Sequence, residues 1–185
     1  MIKIGITGSL ASGKTTVTRL LTKKKKQIFS ADTAVKNLYK KKFFLKKLKK
    51  KFSFTTNDSA KILIKKFIEK NKKNIKKVEQ FVHPYVRNEF KNFLKRKENL
   101  LVSEIPLLIE SNLTNYFDVV IFVGAKKRIR MKRYISKGGD ISFFKILDNR
   151  QVKPQKKIKF CDYVINNNKS LAALRKNVKI VKEKI

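Results

Sequence analysis

The chain has 185 residues, of which 42% are hydrophobic, and carries 48 Lys and Arg against 13 Asp and Glu for a formal net charge of +35. That length and apolar content exclude disorder and predict one compact unit with a real core and room for a small insert. No apolar run approaches a membrane span, and the single cysteine, Cys161, excludes an intramolecular disulfide and fits a reducing cytoplasm. A field of this sign attracts any polyanion: nucleic acid, an acidic membrane or an anionic nucleotide. The excess is nevertheless mostly Lys, spread along the whole chain together with frequent Asn and Ile, which is the pattern of A/T-rich coding. Charge alone assigns no function.

The first apolar run, residues 2–7, predicts a strand and leaves no room for a signal peptide ahead of it. It passes directly into Gly8-Ser9-Leu10-Ala11-Ser12-Gly13-Lys14-Thr15-Thr16, the Gly-x-x-x-x-Gly-Lys-Thr spacing of a phosphate-binding loop. Val17, Leu20 and Leu21 follow at helical spacing. The residue types suit the chemistry. Gly8 and Gly13 permit backbone conformations that side chains forbid, and the loop amides can then line one concavity at the positive end of a helix. Lys14 can reach the β- and γ-phosphates, and the Thr15 hydroxyl can ligate Mg²⁺. All nine residues from Gly8 to Thr16 are candidate nucleotide contacts.

Further strands are predicted at 27–30, 100–104, 119–123 and 163–166, separated mostly by helical patterns, so a parallel sheet wrapped by helices is expected. Ligands should then sit beyond the carboxyl ends of the strands, where Lys14, Asp32 and Glu104 all fall. Residues 32–98 show no convincing strand. Phe44, Leu48 and Phe52 recur every fourth residue, as do Ile64 and Ile68 with Phe67, and Val78 and Val82 with Phe81. These stripes predict a helical insert beside the nucleotide core, although the first of them also fits a helix lying on a membrane surface. After the fourth strand, residues 125–133 read as a helix carrying Arg128, Arg130 and Arg133. A Lys137-Gly138-Gly139-Asp140 turn follows, with Asp140 or Ser142 able to cap the next helix. An Arg-rich helical hairpin at this position has the character of a mobile lid over phosphates.

Beyond the loop, the chain carries Ser30-Ala31-Asp32, then His83-Pro84, read as the end of the insert. It continues with Glu104-Ile105-Pro106-Leu107-Leu108-Ile109-Glu110, Arg130-Met131-Lys132-Arg133, Gln151 and Cys161-Asp162-Tyr163-Val164-Ile165-Asn166-Asn167. In this order and spacing the set resembles the dephospho-coenzyme A kinase family over nearly the whole chain. The resemblance implies a three-layer α/β P-loop kinase fold with a five-stranded parallel sheet. Residues 1–31, 99–125 and 159–185 would form its core, 32–98 a helical substrate region and 126–158 a lid. It implies transfer of the ATP γ-phosphoryl group to the ribose 3′-hydroxyl of dephospho-coenzyme A, with ATP and Mg²⁺ as cofactors, in the cytoplasm. It implies no specific nucleic-acid or membrane partner, and a monomer or weak homo-oligomer.

On the same resemblance, Asp32 orients the ribose hydroxyl and accepts its proton late, in place of a plain helix cap. Glu104 holds Mg²⁺ with Thr15, through water, where the bland alternative is a strand-end carboxylate. Arg133 and Arg130 close on the phosphates alongside Lys14. His83, Pro106 and Leu107 lie toward the acceptor, His83 alternatively holding the turn before Pro84, and Leu107 and Leu108 should pack. Glu110 is expected to pair with a basic residue, and Asn167, within the 166–168 segment, to contact the adenine. Several positions depart from the family pattern. Ser9 and Ala11 replace loop glycines, Ser30 replaces an Asp, Lys127 replaces a Gln, and Asn166 and Lys169 replace an Asp and a Gly. The competing readings are another small-molecule or nucleoside kinase, a nucleic-acid-binding P-loop ATPase suggested by the charge, and a pure binding module.

Overall fold

The computed structural model describes all 185 residues. In chain order its elements are β1 (Ile2–Gly8), α1 (Lys14–Leu21), β2 (Ile28–Ser30), α2 (Ala31–Tyr39), α3 (Lys42–Phe52), α4 (Ala60–Lys70) and α5 (Asn74–Leu94). Then follow β3 (Leu100–Glu104), β4 (Val119–Gly124), α6 (Lys127–Ile135), α7 (Ile141–Arg150), α8 (Pro154–Ile158), β5 (Tyr163–Asn166) and α9 (Leu171–Lys182). They form two compact units, Met1–Ser30 with Lys97–Ile185, and Ala31–Arg96.

The first unit is built on one parallel sheet in the order β2-β3-β1-β4-β5. Strands buried on both faces read as almost continuous apolar runs, which is why Leu-Leu-Val-Ser-Glu and Val-Val-Ile-Phe-Val-Gly were legible as strands. Ile4 and Ile6 of β1 turn to one face, where Val17 and Leu21 of α1 and Leu174, Val178 and Val181 of α9 close over Val102, Ile121, Val123 and Ile165. Register sets the functional edge. β1 pairs Ile6 with Glu104 on one side and Gly8 with Val123 on the other, so the loop after β1 and the last residue of β3 share one end of the sheet.

The second unit is four helices held by aromatic packing. Phe44 and Leu48 of α3 are completely buried. The Phe44 ring lies 5.8 Å from Tyr39, 5.5 Å from Phe81 and 5.4 Å from Tyr85. Phe52 lies 5.0 Å from Phe67 and 5.6 Å from Phe81. The stripe expected either to pack or to lie on a membrane is thus filled by the unit's own rings. Burial pushes the Tyr39 hydroxyl up to about 12. One expectation is corrected here: His83-Pro84 does not end the insert or follow a turn but lies inside the 21-residue α5. Proline forfeits a helix bond, yet Val78 and Val82 before it and Phe90 and Phe93 after it are all buried, and that packing outweighs the roughly 3 kcal/mol interruption. No helix is long and apolar enough to cross a membrane.

Candidate active site

The loop between β1 and α1 is shaped by two obligatory glycines. Gly8 takes a φ of 146° against the backbone of β4, where a Cβ would strike the Val123 carbonyl. Gly13, at φ 99°, caps α1 and lies against the Asn167 amide, leaving a side chain no space. Between them Ala11 also adopts a left-handed φ, 56°, at a cost of about 1 kcal/mol for a residue with a Cβ. The loop closes with Ser12 N donating to Ser9 O at 3.2 Å. The buried Lys14 ammonium folds back over it, donating to the carbonyls of Gly8 at 3.2 Å and Ser9 at 2.9 Å. The Ser12 hydroxyl is buried without a hydrogen-bond partner, a donor left for a ligand oxygen. Thr15, next along α1, donates its hydroxyl to Glu104 Oε1 at 2.9 Å. A hydroxyl and a buried carboxylate at one point are hard oxygen donors of the kind Mg²⁺ takes beside a phosphate.

Arginines from α6 brace this loop in different ways. Arg130 is buried, and its guanidinium makes four hydrogen bonds. It meets Asp148 of α7 with both terminal nitrogens, at 2.5 and 3.4 Å, and donates to Ala125 O at 3.0 Å and Leu10 O at 3.2 Å. It also lies 5.7 Å from the Phe144 ring centre. Arg133 is half-buried and donates to Asn167 O at 3.1 Å and Ser12 O at 3.5 Å. Asn167 is buried and donates its amide to the same Ser12 carbonyl at 2.9 Å. Arg128 is exposed. Asp140 caps α7, accepting from Phe143 N at 2.9 Å. An open cavity of about 240 Å³ is lined by Ser9, Arg130, Asp148 and Gln151, and another of about 360 Å³ by Asn167, Asn168, Lys176 and Asn177.

The segment after β3 contributes through its backbone. The Pro106 carbonyl accepts from Thr7 Oγ1 at 3.1 Å and from Lys157 Nζ at 2.9 Å. Leu108 is fully buried but Leu107 only half, so packing holds for one of the expected pair. Glu110 does pair with a base, the buried Lys157 at 2.9 Å, and also accepts from Val152 N at 3.0 Å. Cys161 donates to Lys157 O at 3.3 Å, and burial lifts its thiol to about 11, leaving it protonated at neutral pH. Sequence reasoning missed Asp148 and Lys157 because neither stands in a motif. Asp148 carried the signal of a lone carboxylate in a half-apolar helix, and Lys157 carried none, standing among other lysines.

In the helical unit, Asp32 lies exposed in the first turn of α2, where a carboxylate suits the positive helix end. His83 is half-buried on α5. Burial lowers its pKa and Arg87 adds to this, while Glu79 opposes it.

A family model for dephospho-CoA kinase matches residues 2–173. The dephospho-CoA kinase of Rickettsia typhi is 32% identical over 190 residues, covering 98% of this chain and 97% of the relative. Among solved structures, TT1252 from Thermus thermophilus matches with a TM-score of 0.79 at 26% identity, over 100% of this chain and 97% of the other. A dephospho-CoA kinase from Campylobacter jejuni shares the fold with a TM-score of 0.66 at 23% identity, over 98% and 96%.

Proposed function

Because the chain belongs to the dephospho-CoA kinase family, a family of kinases, we propose a division of labour for moving the ATP γ-phosphoryl group to the ribose 3′-hydroxyl of dephospho-CoA. The loop from Gly8 to Thr16 cradles the triphosphate with backbone amides and the N-terminal end of α1. Lys14 exchanges its two loop carbonyls for β- and γ-phosphate oxygens and neutralises charge as the bond to the leaving oxygen stretches. Arg133, which needs to release only backbone and amide acceptors, swings toward the transferring group. Arg130 holds α6 and α7 against Leu10 through its own bonds to Asp148 and the Leu10 carbonyl, and is assigned with Arg133 to the phosphates. Thr15 and Glu104 hold Mg²⁺, the carboxylate acting through water; the ion supplies charge neutralisation across the phosphates. Asp32 orients the acceptor hydroxyl and takes its proton late. His83, Pro106 and Leu107 are assigned to the acceptor side, and Asn167 to the nucleotide. Residues 126–158 serve as the lid, and a reducing cytoplasm suits the lone protonated Cys161.

The hydrogen bond that joins Thr15 to Glu104 beside Lys14 carries this reading, because a pure phosphate-binding module needs no carboxylate at that point. The test is ADP release from purified protein with ATP, Mg²⁺ and a panel of acceptors. Turnover with dephospho-CoA alone is the expected result. Turnover with another alcohol or nucleoside instead makes it a different small-molecule kinase, and stimulation by RNA or DNA makes it a nucleic-acid ATPase.

A further inference from the structure

The crest of the phosphate loop is strained, and it is pinned from outside. Ala11 sits in the left-handed region, and such backbone persists only where its surroundings over-determine it. Leu10, its neighbour, is gripped at both ends: its N–H donates to Gln151 Oε1 at 3.0 Å and its carbonyl accepts from Arg130 at 3.2 Å. Gln151 caps the C-terminal end of α7 and lies in the three-residue link to α8. The next residue anchors that link. Val152 N donates to Glu110 Oε1 at 3.0 Å, and the same oxygen receives the Lys157 ammonium at 2.9 Å.

Lys157 is 1% exposed and has a second acceptor in the Pro106 carbonyl, which in turn accepts from Thr7, the residue just before Gly8. The contacts therefore leave the loop at Leu10 and return to its root at Thr7. A buried ion pair is a poor way to gain stability, since an apolar pair of similar volume usually does as well or better. This pair is also incompletely served, because Glu110 Oε2 is buried without a partner. What the pair does supply is direction, by placing one backbone N–H next to Gln151.

We propose that Lys157 is a positioning residue for phosphoryl transfer: through Glu110 and the Val152 amide it sets Gln151 against the Leu10 N–H and so keeps the loop in its phosphate-receiving shape. The inference rests on the kinase reading above. Its test uses the full chain and reads Leu10 amide hydrogen exchange by NMR without nucleotide, ADP affinity by calorimetry, and the KM for ATP. Gln151→Ala and Lys157→Met should each speed Leu10 exchange about tenfold and weaken ADP about fivefold, the loss expected of one hydrogen bond. They should raise KM more than they lower kcat. The double variant should be no worse than either single one, because both remove the same constraint.

Additive losses, or faster exchange across the whole sheet with Leu10 no more affected than the rest, would show a purely structural role and overturn the inference. If Lys157→Met does not fold, Glu110→Gln decides. It keeps an acceptor for Val152 but weakens the hold of Lys157, so Leu10 exchange should rise about threefold, and unchanged exchange refutes the proposal. A wild-type chain that cannot phosphorylate dephospho-CoA strikes the kinase reading. Normal turnover with Leu10 indifferent to all three substitutions strikes only this inference.

Discussion

In the sheet unit, each important side chain is held by a partner far away in sequence: Thr15 by Glu104, Arg130 by Asp148, Asn167 by the Ser12 carbonyl and Lys157 by Glu110. In the helical unit the organising contacts are ring against ring, Phe44 on Phe81 and Tyr85 and Phe52 on Phe81, while most lysines of α3 face solvent. Hydrogen bonds fix direction, so the first unit can place a donor to within a few tenths of an ångström. Aromatic packing fixes volume and tolerates rearrangement, so the second can form a stable body whose polar surface varies freely. Substitutions in the first should therefore appear as kinetics, and in the second as stability.

The largest effects test that division where it is crossed. Lys14→Met removes the ammonium that donates to the Gly8 and Ser9 carbonyls and should cost about 10³-fold in kcat, read as ADP release. Asp32→Asn, in the helical unit, should lower kcat by about 10²–10⁴-fold while calorimetry still shows ATP binding. If Asp32→Asn turns over normally, the helical unit supplies no proton acceptor, and the split between chemistry and packing becomes complete.

Next in size is the core of the helical unit. Phe44 is completely buried among Tyr39, Phe81 and Tyr85, so Phe44→Ala should destabilise by about 3–5 kcal/mol in urea unfolding. Turnover below the melting transition should stay within a factor of a few. A loss of activity without a loss of stability would mean that this aromatic cluster shapes the substrate surface directly.

What could be read in advance follows the same divide. The central strands β1, β3 and β4 were legible because a sheet covered on both faces demands apolar runs, and the glycines and Lys14 because a phosphate loop allows little else. The Asp140 cap was legible because capping is local. Glu110 could be expected to find a cation, but the choice of Lys157 depends on how α8 meets the segment after β3, which no local pattern encodes. The pairing of Arg130 with Asp148 was invisible for the same reason, since it exists only once α6 and α7 are side by side. His83-Pro84 misled in the opposite sense, since the local rule that proline ends a helix lost to burial of the flanking residues.

A smaller effect sharpens the account of the loop. Ala11 stands where the resembling family has glycine, and it holds φ at 56°. Ala11→Gly should remove the Cβ penalty in the folded state but return conformational freedom to the unfolded chain, for a net gain of at most about 1 kcal/mol. Urea midpoints measure this. Destabilisation would show that the Ala11 methyl makes a contact worth more than the strain.

The smallest expected effect lies in the helical unit and concerns pH. Burial and Arg87 hold the His83 pKa below its ordinary 6.5, with Glu79 pulling the other way. As pH falls, the unfolded chain takes up the proton first, so it binds more protons than the folded one. The stabilisation from a neutral His83 is therefore fully present above about pH 6.5 and declines as pH drops toward the folded value. Urea unfolding between pH 7.5 and 5 should show the wild-type chain losing stability more steeply than His83→Gln, which cannot titrate. If His83→Gln leaves the slope unchanged, the ring titrates alike in the folded and unfolded chain, and burial does not set its protonation.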